Sequence, residues 1–116
     1  MEIKADNHHI WYEPDRGAVI FQGSLRLAGS EEYAPIADLL HEVSLQHPEN
    51  LTLDLRKLDF LNSSGINMLS KFVIKMRQKQ QLIHVRGSRQ IPWQSKSLKN
   101  LQRLMPSLVL EIEDME

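Results

Sequence analysis

The chain has 116 residues, a formal net charge of −1, a quarter of its residues charged and no cysteine. That length bounds one core rather than two; the near-neutral charge argues against a dedicated nucleic-acid binder; the missing cysteines remove disulfides, thiolate zinc sites and thiol nucleophiles together. No apolar run reaches the about 18 to 20 residues that span a bilayer, and the N-terminal MEIKADNHHIWYE lacks a signal-peptide core, so the expectation is a single cytoplasmic domain over residues 1–116 with no membrane partner.

Residues 9–13 (HIWYE) and 18–22 (AVIFQ) are β-branched and aromatic, and EPDRG between them supplies Pro14, Asp15 and Gly17 for a turn, which predicts a hairpin. His8 and His9 are adjacent, so on a strand they point to opposite faces and make no two-histidine metal site. From 31 to 46, Tyr33, Ile36, Ala37, Leu40 and Val43 form a helical stripe. Pro35 is cheap only in a first turn, so the helix is expected to be capped one or two residues after Ser30. HPEN (47–50) breaks it, and LTLDL (51–55) alternates as a strand should.

RKLDFLN then leads into a second helix, from Ser64 to about Lys79, in which Ile66, Leu69, Phe72, Val73 and Met76 share one arc. LIHVRG (82–87) predicts a strand, Pro92 opens a helix through Leu98, Leu101, Leu104 and Met105, and SLVLEIE (107–113) closes the sheet. The order ββαβαβαβ implies an α/β fold whose mixed sheet is antiparallel at the first hairpin and parallel afterwards, through right-handed crossovers.

FLNSSGINML (60–69) falls where a strand gives way to a helix, the place where open α/β sheets hold their working residues. Asn62 or Ser63 can cap the helix. Capping alone leaves Gly65 unexplained, because glycine costs about 0.8–1.0 kcal/mol relative to alanine within a helix; it implies that something approaches closely beside the hydroxyls. Advancing about 100° per residue from Ser63 brings Asn67, Ser70 and Ile74 onto one line away from the core arc, a ridge on which a partner could run.

LTLDLRKLDFLNSSGINML resembles the signature of the STAS domain family, that of the bacterial anti-sigma factor antagonists: an apolar strand with Asp, a loop, then D-S-[ST]-G opening a helix. The order of elements agrees from about residue 9 to residue 113. The resemblance implies a STAS-like fold and a non-catalytic regulator in a partner-switching pathway. Its protein partners would be a serine kinase that is also an anti-sigma factor and a phosphatase, and it would be a monomer without a cofactor. It also implies a phosphoacceptor at Ser63, with Ser64 as the alternative; joined to the helical ridge, this gives an expected partner-binding surface of Asn62, Ser63, Ser64, Gly65, Asn67, Ser70 and Ile74. The chain departs from the pattern at Asn62, where the family has Asp; the two side chains are nearly isosteric and both cap helices, but the negative charge is lost.

Other readings fit less well. A serine hydrolase would need a G-x-S-x-G elbow with an activating histidine and a carboxylate; neither Ser63 nor Ser64 has that context, and His84, in a strand, reads as structural. Ligand sensing would need a phosphate loop of the G-x-x-x-x-G-K-[ST] kind, which is missing. The basic residues Arg86, Arg89, Lys96, Lys99 and Arg103, followed by the acidic Glu111, Glu113, Asp114 and Glu116, read as a solvated face or a docking patch. Trp93 suits a buried anchor or a partner contact equally. A constitutive adaptor of the same fold, binding through the Ser63 to Ile74 ridge without modification, is the alternative to the phosphorylation switch.

Overall fold

A computed structural model describes residues 1–47 and 49–114. Pro48 and Glu116, part of the expected helix break and acidic tail, lie outside the described residues. Among the described residues the strands and α-helices follow in the order β1 (Glu2–Lys4), β2 (His8–Glu13), β3 (Ala18–Leu25), α1 (Gly29–Gln46), β4 (Asn50–Leu61), α2 (Ser63–Gln78), β5 (Leu82–Ser88), α3 (Gln94–Leu104) and β6 (Val109–Glu113). The strands form one sheet in the order β1-β2-β3-β4-β5-β6. The first two pairings are antiparallel and the next three parallel. The mixed α/β architecture is thus the one expected, with β1 added at one edge.

The expected hairpin forms. A single 3-10 turn, Pro14–Arg16, joins β2 to β3, and Gly17 at φ 57° closes it in the left-handed region that glycine occupies without steric cost. Strand alternation then divides the sheet. Ile10, Val19, Phe21, Leu53, Leu55, Ile83 and Val85 point into one core, which all three helices cover from the same side. Among the described residues no helix is long and apolar enough to cross a membrane.

The opposite face is open, which is unusual for parallel strands. Its chemistry explains how it tolerates water. The register places Trp11, Ile20, Asp54, Arg86 and Glu111 in one row across five strands. Arg56 donates to Asp54 through Nε at 2.9 Å and Nη2 at 2.7 Å, and Arg86 Nη2 lies 2.9 Å from Glu113. Burial alone would raise the Asp54 pKa, but hydrogen bonds from the Arg56 side chain and backbone, with the charges of Arg56 and Arg86, bring it below the ordinary carboxylate value.

Several boundaries differ from the sequence expectation: β3 runs on to Leu25, α3 begins at Gln94, after Pro92 rather than on it, and the two largest differences lie at α1 and β4. Helix α1 begins at Gly29, after an Ala28 N-cap, so Pro35 sits inside it rather than in its first turn. Proline removes the bond that its N–H would make to the Glu31 carbonyl; both residues are exposed, so water can serve that carbonyl. Strand β4 continues through RKLDFL to Leu61 instead of ending at Leu55. Its register against β3 shifts twice, between Ile20 and Gln22 and between Gly23 and Ser24, and these irregularities break the alternation that would mark the strand.

Candidate functional site

The end of β4 and the start of α2 are fixed by one side chain. Asn62, in an extended conformation, is the N-cap: its Oδ1 accepts from the Gly65 N–H at 3.0 Å. The same oxygen accepts from the Tyr33 hydroxyl at 2.6 Å, and Asn62 Nδ2 donates to the Leu27 carbonyl at 2.7 Å. The Gly65 N–H can only donate and the Leu27 carbonyl can only accept, so the amide has one satisfied orientation. Asn62 therefore ties α2 to Tyr33 on α1 and to the segment entering α1. An aspartate could cap Gly65 but would set a carboxylate against the Leu27 carbonyl, which gives the departure from the D-S-[ST]-G pattern a structural reason. Burial raises the Tyr33 pKa above its ordinary value, which keeps the hydroxyl a donor.

The neighbouring residues divide by exposure. Ser63, the first residue of α2, is exposed, whereas Ser64 is half-buried and its Oγ accepts from the Gly29 N–H at 3.3 Å. Gly65 is buried. A Cβ there would stand 2.2 Å from Leu61 Cδ1 and 2.8 Å from the Tyr33 hydroxyl oxygen. The close approach expected at Gly65 is thus made by the chain itself, with Leu61 and Tyr33 as the approaching groups. Asn67 is exposed, and Ser70 and Ile74 are half-buried; Ile74 stays outside the core cluster. The ridge from Ser63 to Ile74 accordingly lies on the outer side of α2.

Sequence reasoning missed the feature beside that ridge. A groove of about 410 Å³ runs between α1 and α2, with Tyr33, Ala37, Met68 and Phe72 in its apolar lining and Lys71 and Lys75 among its polar lining residues. Ser64 also lines it, and Asn67 belongs to both groove and ridge. The helix-facing stripe of α1 gave half of this lining in sequence, but nothing local pairs it with α2, thirty residues later.

The remaining candidates lie apart. His84 pairs in register with Thr52 near the start of β4, whereas Ser63 follows its end; nine residues of strand separate Thr52 from Leu61, about 30 Å at 3.3 Å per residue. His41 lines the groove, but eleven residues beyond Ser30, about 17 Å along α1. Neither histidine is placed to activate Ser63. His8 contacts Asn7, and His9 pairs with Glu2 and stacks on Trp11. No group of three metal-ligating side chains occurs among the described residues.

The basic cluster is partly neutralised by the acidic residues that follow it. Arg86 pairs with Glu113 and Glu111, and Arg89 with Asp114, while Lys96, Lys99 and Arg103 make no ion pair among the described residues. Trp93 is half-buried against the core, and its Nε1–H donates to the Leu58 carbonyl at 3.1 Å. Gln94, fully buried, donates to the Leu55 and Leu58 carbonyls and accepts from the Ser88 N–H, locking the start of α3 to β4 and β5.

No family model matches the sequence, and no curated protein does. Solved structures do match the fold. A chain in the crystal structure of the diguanylate cyclase SiaD in complex with its activator SiaC, from Pseudomonas aeruginosa, superposes with a TM-score of 0.75 at 15% identity, covering 99% of both chains. SiaC of Pseudomonas aeruginosa matches with a TM-score of 0.74 at 15% identity, over 99% of this chain and 98% of the other. Apo-SiaC from the same organism matches at 0.72 and 13% identity, over 97% and 98%. The chain therefore has the mixed α/β fold of SiaC, end to end over the matched chains, on a largely different sequence.

Proposed function

We propose that residues 1–116 form a single STAS-type regulatory domain that acts by binding a protein partner across the N-terminal end of α2, and that phosphorylation of Ser63 switches this binding. The supporting observation is the division of labour at the motif. Capping and interhelix bonds fall to Asn62, and Ser64 accepts from Gly29, so Ser63 is left exposed with no structural task among the described residues. SiaC, a protein of the same fold, is an activator found in complex with the cyclase SiaD, which supports a role in binding another protein rather than in catalysis.

A phosphate on Ser63 would leave the fold intact. It adds a charge of about −1.5 to −2 at pH 7 at the end of α2 where the helix dipole favours anions by about 0.3–1 kcal/mol, on an exposed side chain. A serine kinase would install the group and a phosphatase would remove it. The test is to isolate the native protein from its source cells under several growth conditions and map the tryptic peptide 58–71, localising any phosphate among Ser63, Ser64 and Ser70. Condition-dependent phosphate on Ser63 is the expected result. Full coverage without phosphate in any condition would overturn the switch.

One observation favours the second reading, an unmodified adaptor. Asn62 is held by its donation to Leu27, so the acidic position of the phosphorylated pattern is vacant here. An adaptor would bind equally well as Ser63→Asp and Ser63→Ala and would lose its partner through Ile74→Glu on the ridge.

A further inference from the structure

The groove between α1 and α2 has a chemistry that the ridge does not. Its lining contains no aspartate or glutamate, but it includes Lys71 and Lys75, both exposed and neither in an ion pair among the described residues. Helix α2 carries Lys71, Lys75 and Arg77 and no acidic residue at all, while α1 carries Glu31, Glu32, Asp38 and Glu42 and no lysine or arginine. None of the four α1 acids lines the groove. The cations on one wall therefore make no ion pair with the acids of the other among the described residues.

The lining beneath is apolar. Tyr33, Met68 and Phe72 are buried, and Ala37 presents only a methyl where a longer aliphatic side chain would fill the space. The groove extends from Ser30 and Ser64 at one end to His41 and Lys75 at the other, eleven residues along each helix, or about 17 Å. That length matches about three turns of helix or about five extended residues. At the far end His41 Nδ1 is buried and has no hydrogen-bond partner among the described residues.

We infer that this groove receives an acidic amphipathic segment of the protein partner, with apolar side chains seated over Tyr33, Ala37, Met68 and Phe72 and carboxylates meeting Lys71 and Lys75. Helix-in-groove recognition uses this combination of apolar anchors and flanking charge. A free small anion would leave the apolar lining unused, and a basic segment would meet two uncompensated cations. The inference rests on the reading of the chain as a protein-binding regulator, and it adds a link to the switch. Ser64 lines the head of the groove and Ser63 adjoins it, so a phosphate on Ser63 would present negative charge to an acidic occupant.

The test needs neither the natural partner nor phosphorylation. Purified unmodified protein is panned against a random peptide library displayed on phage, and a synthetic consensus peptide is titrated into isotope-labelled protein. The inference expects enriched peptides that combine apolar residues with at least two acids. Amide shifts should concentrate at residues 33–41 and 64–75, and Lys71→Glu/Lys75→Glu should weaken affinity at least tenfold without changing thermal melting. Ala37→Leu, which fills the groove, should block binding independently. Enrichment of basic or uncharged peptides, failure to enrich any acidic peptide, shifts centred on the open sheet face, or a charge-reversed variant that binds unchanged would each overturn it. Concentration-dependent self-association that shifts the groove resonances would also overturn it, in favour of a second copy. Acidic peptides bound in the groove of a protein never phosphorylated in cells would refute the switch while leaving the groove intact.

Discussion

Replacing Asn62 tests the local construction most sharply, because its two amide atoms do different work. In Asn62→Asp the carboxylate still accepts from Gly65 and Tyr33, but the donation to the Leu27 carbonyl is lost and an oxygen takes the place of Nδ2, 2.7 Å from that carbonyl. An unsatisfied, half-buried carbonyl facing an acceptor costs about 1–3 kcal/mol, offset by about 0.3–1 kcal/mol for a negative charge at a helix N-terminus; the net is a loss of about 1 kcal/mol. Asn62→Ala loses the Leu27 bond too, about 1–3 kcal/mol, together with the cap, about 1 kcal/mol, and strands the buried Tyr33 hydroxyl, about 1–3 kcal/mol, for a total of about 3–7 kcal/mol. Urea unfolding followed by circular dichroism reads both. With a slope of about 1.5 kcal/mol per M, the midpoint should fall by roughly 0.7 M for Asp and by roughly 2–4.5 M for Ala. An Asp variant as stable as the parent would refute the claim that the Leu27 bond is what selects asparagine here.

Two further predictions concern packing and pH. Gly65→Ala gains about 0.8–1.0 kcal/mol of helix propensity but forces a Cβ against Leu61 and Tyr33, an overpacking cost of about 1–3 kcal/mol. Net destabilisation is expected, and Gly65→Ala with Leu61→Ala should lose at least ~1 kcal/mol less than the two single changes added together; strict additivity would show that the contact does not strain. Asp54, with its pKa held below the ordinary value, contributes stability that is present in full above its unfolded pKa of about 3.9 and is lost as pH falls through its lower folded value. The destabilisation caused by Asp54→Asn should therefore be constant from pH 5 to 7 and shrink only below about pH 4; a penalty independent of pH down to 2 would contradict the ion-pair account of the open face.

What the sequence made legible follows from range. Period-2 and period-3.6 patterns are local, so the β2–β3 hairpin, the parallel strands and the buried arc of α2 were readable, with Leu69, Phe72, Val73 and Met76 all in the core. Strand β1 is three residues long with only Ile3 turned inward, too short for a pattern. The end of β4 was hidden by its register shifts against β3, and the start of α1 by the usual exclusion of proline, which an exposed helix face tolerates at Pro35. At the site, the hydroxyls and the glycine announced themselves, but the reason for Asn62 lies in Tyr33 and Leu27, about thirty residues upstream, and that for Gly65 in Tyr33 as well as in the nearby Leu61. The groove escaped notice for the same reason: its walls meet only once both helices lie on the sheet.

The most direct test of the account is a comparison of the unmodified chain with the same chain carrying phosphoserine incorporated at position 63 during synthesis. Each form is immobilised and challenged with lysate from the source cells, and bound proteins are quantified. Like charges 4 Å apart at an effective dielectric of 20 repel by about 4 kcal/mol; with ~3 kcal/mol realised, affinity for an acidic partner falls on the order of a hundredfold. The account predicts a specific partner recovered on the unmodified chain and depleted to background on the phosphorylated one. Equal recovery of that partner on both forms would contradict it.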